Sequence, residues 1–315
     1  MGYFFDLVFL GPQQVVPIAV GVVLWFSLSG LGIIFTGKDR LPELNIFYGW
    51  AIASTLFTII GVFFRHPFLV ISIILSIIAI AGFIVAILRK QTLFVPGTWR
   101  ILILAMPLFL ISGAMEPSQW DEFSHWLPAP KYLLAFHGFP NADQPFNGPQ
   151  MLAAYPYGWP ILSYLSALIA GTFIPNIGGI LNLLLLFTIT TLILRTAFYV
   201  AGREVKQTIT WGFASSVILC STVFNPTFIQ KIVLTSYSDI STAVTTAAVL
   251  LISYYYLEAL AKRNDMSPWS GAWQISLVLM LVVNLRQSNL VLLILFSLAV
   301  GFIAWRDPKI EFKQF

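Results

Sequence analysis

Long apolar runs separated by short polar interruptions make up most of this chain. A bilayer core takes about 20 apolar residues per helix. Runs of that kind lie near 13–36, 46–64, 68–88, 99–115, 177–198, 208–225, 237–258, 273–284 and 288–305. The last two are separated by the polar break Asn284-Leu-Arg-Gln-Ser-Asn289. The stretch 158–171 is apolar but short for a span, and 115–176 is the longest segment without one. The pattern predicts an all-α polytopic membrane protein with about nine transmembrane helices.

Composition agrees with the pattern. Of the 315 residues, 58% are hydrophobic and 10% charged, against roughly 45–50% and about 25% in soluble domains. Mean hydropathy is +0.86. Such a chain is neither a cytosolic enzyme nor a disordered tail, and its lone Cys220 excludes a disulfide scaffold. The sequence pI is near 9.2, but its Lys and Arg are scattered singly and in pairs, so no nucleic-acid partner is expected. The first apolar run lacks a basic flank and is too long for a signal-peptide core, so it is expected to be retained.

The positive-inside rule orients the spans. Clusters at Lys38/Arg40, Arg89/Lys90/Arg100, Arg195/Arg203/Lys206, Lys262/Arg263 and Arg306/Lys309/Lys313 all fall on one side only if 158–171 is an interfacial or re-entrant helix. Counted as a crossing, it would put Arg195, Arg203 and Lys206 outside. With the N-terminus outside, all 17 Lys and Arg except Arg65, Lys131, Lys231 and Arg286 are cytoplasmic. The external face then carries Asp6, Glu116, Asp121, Glu122, Asp143 and Asp239. Its loop 115–176 is rich in aromatics, Pro and Gly, which suggests order at the membrane interface.

The densest polar constellation is Glu116-Pro-Ser-Gln-Trp-Asp-Glu-Phe-Ser-His-Trp126. Ser118 followed by Asp121 fits a capping box. A helix starting there would put Asp121, Ser124 and His125 on one face and Glu122 with Trp126 on the next. Such a patch can take a proton from a hydroxyl nucleophile or hold a divalent cation, Mg or Mn, through Asp121, Glu122 and His125. First-turn acids also serve as plain helix caps. Here, though, two of only 13 acidic residues are adjacent and flanked by Trp120 and Trp126. Tyr155-Pro-Tyr-Gly-Trp-Pro160 carries two helix breakers, so Tyr155, Tyr157 and Trp159 are expected to shape a groove. Ser236-Tyr-Ser-Asp239 opens the span at 237. Arg286, followed by Gln287, is costly at membrane depth and calls for a partner, either Asp121, Glu122 or a lipid phosphate.

Taken in order, these pieces resemble the GT-C superfamily of membrane glycosyltransferases, closest to the branch of the protein O-mannosyltransferases and aminoarabinose transferases. The resemblance covers roughly 99–305. It rests on the acidic pair Asp121-Glu122, on Lys131-Tyr-Leu-Leu-Ala-Phe-His-Gly-Phe-Pro140, and on Tyr155-Pro-Tyr-Gly-Trp-Pro-Ile-Leu162. The turn Gly202-Arg203, the helix start Ser238-Asp239 and the Arg286 turn complete it. It implies a three-span extension over 1–98 and a core over 99–315, with a catalytic external loop at 115–176 carrying juxtamembrane helices. Tyr157-Gly-Trp in place of the family's Pro-Leu-Tyr, the extra N-terminal spans and the early end after the ninth span are departures.

The resemblance implies an inverting glycosyltransferase using a polyprenyl-phosphate sugar donor and a glycan, lipid or protein acceptor, at the periplasmic side of a bacterial inner membrane. Asp121 would be the base and Glu122 would orient the acceptor. His125, Lys131, Tyr155, Tyr157, Trp159, Asp239, Arg286 and Gln287 would contact substrate. Competing readings are a lipid-linked glycan polymerase or ligase, a transporter or flippase, and a non-catalytic subunit.

Overall fold

A computed structural model describes residues 11–146, 155–202, 208–307 and 310. Asp6, Arg203, Lys206, Lys309 and Lys313 lie outside the described residues. The fold is all-helical: α1 (Val15–Thr36), α2 (Asn45–Phe63), α3 (Phe68–Leu88), α4 (Thr98–Ala114), α5 (Pro128–Phe136), α6 (Gly158–Ala170), α7 (Ile177–Val200), α8 (Trp211–Ser221), α9 (Gln230–Val233), α10 (Asp239–Leu260), α11 (Pro268–Val283) and α12 (Leu290–Arg306). Six helical stretches, those containing α1, α2, α3, α7, α10 and α12, are long and apolar enough to cross a membrane. The chain is therefore compatible with a polytopic membrane protein.

Most helix bounds fall within a residue or two of the hydropathic runs. The exceptions are α11, which begins at Pro268 and not at 273, and the run at 208–225, which yields only the 11-residue α8. Asn225 precedes Pro226, which disfavours helical backbone there. Nearby side chains also turn back on the chain: Thr222 Oγ1 donates to the Ile218 carbonyl (2.7 Å) and Asn225 Nδ2 to that of Ser221 (3.2 Å). Local hydrogen bonding thus ends the helix where hydropathy alone would continue it.

At the centre lies α7, whose apolar window is 89% buried, packed against α1, α4, α8 and α10. α1 packs in turn on α2, α3, α4 and α6. Close helix approach in lipid depends on small residues. A Cβ at Gly49 would run into the Leu28 carbonyl, and one at Gly82 into that of Gly30. By contrast α12 is almost bare, with 11% of its window buried.

The helices run between two chemically distinct ends. At one end Arg40 donates to Asn45 Oδ1 (2.8 Å) and Gln91 Oε1 (3.1 Å), Arg195 pairs with Glu43 (3.0 Å), and Arg263 with Asp307 (3.0 Å). At the other end Gln14 Nε2 donates to the Leu110 carbonyl (3.2 Å), Phe68 N to that of His137 (3.0 Å), and Asn176 Nδ2 to that of Gly113 (2.6 Å). Both flanks of α6 meet Ser236 at this second end. Trp159 Nε1 donates to the Ser236 carbonyl (2.8 Å), and Ser236 Oγ to that of Pro175 (3.2 Å). α6 itself has 13 residues.

Replacing Gly49 by Val should lower thermal stability in detergent by about 1–3 kcal/mol through overpacking. Gly301→Ala, where nothing lies within 4 Å of an added Cβ, should leave the melting temperature unchanged or raised. Equal melts for the two variants would refute the close-approach account.

Candidate functional site

The acidic segment folds as a π-helical turn over Glu122–Trp126, closed by Leu127 N donating to the Glu122 carbonyl (2.8 Å). The expected capping box is displaced by one residue. Glu122, not Asp121, reaches back: its Oε2 accepts from the amides of Ser118 (3.0 Å) and Gln119 (3.1 Å). Its Oε1 accepts from the Ser236 amide (2.8 Å), joining the loop to the start of α10. Glu122 is 2% exposed, so this carboxylate is a structural clamp with both oxygens engaged. The wide turn puts Glu122 and Trp126 inward and leaves Asp121 exposed. π-turns of this kind are frequent at functional sites.

Around the clamp the other polar groups converge. Arg286 extends from the break between α11 and α12, where Gln287–Asn289 forms a 3-10 turn. Its Nη2 donates to Asp239 Oδ1 (2.9 Å) and its Nε to Ser238 Oγ (3.2 Å). Its guanidinium lies 5.9 Å from the Trp126 ring centroid. The partner of Arg286 is thus Asp239, not the acidic pair. With side chains 27% and 47% exposed, this pair is worth little for stability. The His125 ring stands edge-on to Tyr155 at 4.5 Å and to Trp126 at 5.1 Å. Burial pushes the His125 imidazole below its ordinary range, opposed by Asp121 and reinforced by Arg286. Burial raises the hydroxyl of Tyr155. It also raises that of Tyr237, which meets the backbone of Asp121 and feels the charges of Asp121, Glu122 and Asp239. One patch therefore unites Asp121, His125, Tyr155, Tyr237, Asp239 and Arg286.

Other expected residues sit elsewhere. Trp159 is 1% exposed, with its indole N–H given to Ser236, so it supports the site and does not face a ligand. Lys131 lies over the Phe173 ring at 5.2 Å. Tyr157 packs on Phe139 (4.6 Å), and Gln287 is exposed in the 3-10 turn. The expected cation trio does not fit: Glu122 is already satisfied by amides. Among the described residues no three His, Cys, Asp or Glu side chains gather to hold a metal ion. A residue that sequence reasoning missed is Asn182, whose Nδ2 donates to the carbonyls of Thr235 and Tyr237 (3.0 Å each) from inside α7. Its signal was being the single Asn in the run 177–198, flanked on both sides by apolar residues.

The polar break docks directly on the aromatic turn. Gly158 N donates to the Asn284 carbonyl (2.9 Å), Trp50 Nε1 donates to the Gly158 carbonyl (2.8 Å), and a Cβ at Gly158 would strike Asn284 O. No family model, curated protein or solved structure matches this chain. Its site must be read from its own geometry.

Two measurements check this arrangement. Glu122→Ala should cost at least ~2 kcal/mol by stranding buried amides, seen as a lower melting temperature, while Glu122→Gln should recover part of it. Because the folded pKa of His125 is depressed, the stability it contributes is present above its unfolded value near 6.5 and is lost as pH falls through the folded value. Melting temperature should drop on acidification below about pH 6.5, and His125→Gln should blunt that drop. An unchanged acid limb in that variant would remove His125 as its source.

Proposed function

We propose that this chain is an inverting glycosyltransferase that moves a sugar from a polyprenyl-phosphate-linked donor to an acceptor hydroxyl at one membrane face. The observation that carries this reading is the division of labour in the acidic pair. Glu122 is consumed in holding the loop to α10, while Asp121 stands exposed beside His125, with Arg286 and Asp239 across the patch. A free carboxylate beside a rigid neighbour, in a patch that also holds a guanidinium, suits a reaction in which a proton leaves one oxygen while charge builds on another.

In this scheme Asp121 takes the proton of the acceptor hydroxyl as its oxygen attacks the anomeric carbon from the face opposite the leaving group. The glycosidic C–O bond to the lipid phosphate breaks, and the departing phosphate carries away the electron pair. Positioned acid–base catalysis of this kind supplies about 10²–10⁴-fold. Arg286, partly exposed and able to bind phosphate oxygens in bidentate fashion, stabilises the charge that grows on that phosphate. No step needs a metal ion.

The topology behind this reading has nine crossings with α6 juxtamembrane. Arg40, Arg195 and Arg263 lie at one end and the patch at the other, so the positive-inside rule makes the patch external, in a bacterial inner membrane the periplasmic face. The acceptor belongs to the glycans, lipids or proteins of that face.

Asp121→Asn should abolish transfer while the protein still inserts, keeps its melting temperature and binds donor lipid. Turnover within a few-fold of wild type would remove Asp121 from the role of base.

A further inference from the structure

Two clefts, the first adjoining this patch at Tyr155, meet at one pair of side chains. The upper, about 650 Å³, opens at the site-bearing end and is lined by Arg65, His66, Asn141, Tyr155, Tyr157 and Asn284, among others. The lower, about 510 Å³, runs between α2, α11 and α12 past Thr55, Ile59, Ser276, Met280 and Leu293. Thr58 and Asn284 line both, and Asn284 Nδ2 donates to Thr58 Oγ1 (3.1 Å) at the junction. A polar mouth therefore continues into an apolar groove inside the bundle's hydrophobic belt.

The lining selects an occupant. The residues that line the upper cleft include no Asp or Glu. Arg65 bridges to Asp143, but the two side chains are 77% and 59% exposed, so a competing anion displaces that contact at little cost. Asn141 Oδ1 is already taken by the amides of Asp143 and Gln144 (3.0 Å each) and one amide N–H reaches the Phe139 carbonyl (3.5 Å), which leaves its second N–H on offer. The Tyr157 side chain is 8% exposed and its buried hydroxyl has no hydrogen-bond partner among the described residues. Burial pushes that phenol up to about 12, so it remains protonated and can donate. A buried donor without an acceptor costs about 1–3 kcal/mol, a deficit that a ligand oxygen removes. A cleft with a cation and several donors, opening into an apolar groove, matches a phosphate carried on a hydrocarbon chain.

We infer that the double cleft binds a lipid with a phosphate head, its chain in the lower groove and its head against Arg65, Asn141 and Tyr157. Half of this site comes from α2 and the turn after it, outside the stretch that resembles the glycosyltransferases. The binding claim stands alone. The mouth of the double cleft adjoins the proposed transferase site through Tyr155, which lines the upper cleft and also stands 4.5 Å from His125.

The test is calorimetric titration of the full chain in detergent with hexadecyl phosphate, hexadecanol and inorganic phosphate. Hexadecyl phosphate should bind at least about tenfold more tightly than either fragment. Tyr157→Phe, which keeps the ring and breaks no existing bond, should weaken hexadecyl phosphate about tenfold, the range of a hydrogen bond to a charged group, and leave hexadecanol unchanged. Ser276→Trp, at an exposed position that narrows the lower groove, should weaken both lipids. Unchanged affinity in both variants, or inorganic phosphate binding as tightly as the lipid, overturns the inference. Asp121→Asn should bind like wild type. Lost transfer with normal lipid binding in a wild-type assay would sink the transferase and spare the cleft, and intact transfer with no cleft binding would do the reverse.

Discussion

The organisation of the site end depends on one buried carboxylate. Glu122 collects the amides of Ser118, Gln119 and Ser236, the last of them buried and without another acceptor among the described residues. In lipid an unmet backbone group has no water to fall back on. The π-turn, the neighbouring exposure of Asp121 and the seating of the loop on α10 all follow from satisfying those donors. Asn182 does for the Thr235–Tyr237 turn, from inside α7, what Glu122 does from the loop, so that turn is held from two sides.

Irregular backbone at this end survives because it is paired with other irregular backbone. The break at 284–289 and the turn at 155–160 would each leave free carbonyls and amides, and they meet through Gly158 and Asn284. Glycine is required there because any side chain would collide with the carbonyl it bonds. Arg286 then projects from an extended residue within the break, and its charge is met by Asp239 at the start of α10. The polar chemistry of the chain is thus concentrated where helices are interrupted, while α1, α3 and α7 supply a scaffold knitted by small residues and apolar packing.

Much of this was legible in the sequence. Hydropathic length located nearly every long helix, and the run at 158–171 folds as the short helix its length predicted. The convergence of the 121–126, 155–160, 236–239 and 286 segments was also anticipated. What failed had local physical causes. The 208–225 run holds a helix of only 11 residues because Thr222, Asn225 and Pro226, which hydropathy ignores, end it early through their side chains and ring. The acidic pair was read on a 3.6-residue period, but the turn is wider, so the cap passed to Glu122 and only Asp121 remained outward. The partner of Arg286 depended on how the last helix break folds over α10, a long-range contact that no window of sequence contains.

The wide turn at Glu122–Trp126 also acts as a register reserve. It accommodates one residue more than an ordinary helical turn between the clamp and α5. Shortening the segment by a single position would draw the backbone into a tighter spiral and rotate the two acids relative to α10. Their assignments as buried anchor and exposed carboxylate would then exchange or be lost together. Substitution on the outer face of this segment is tolerable, but its length is not free to vary, because the reading frame of the spiral decides which carboxylate meets the solvent.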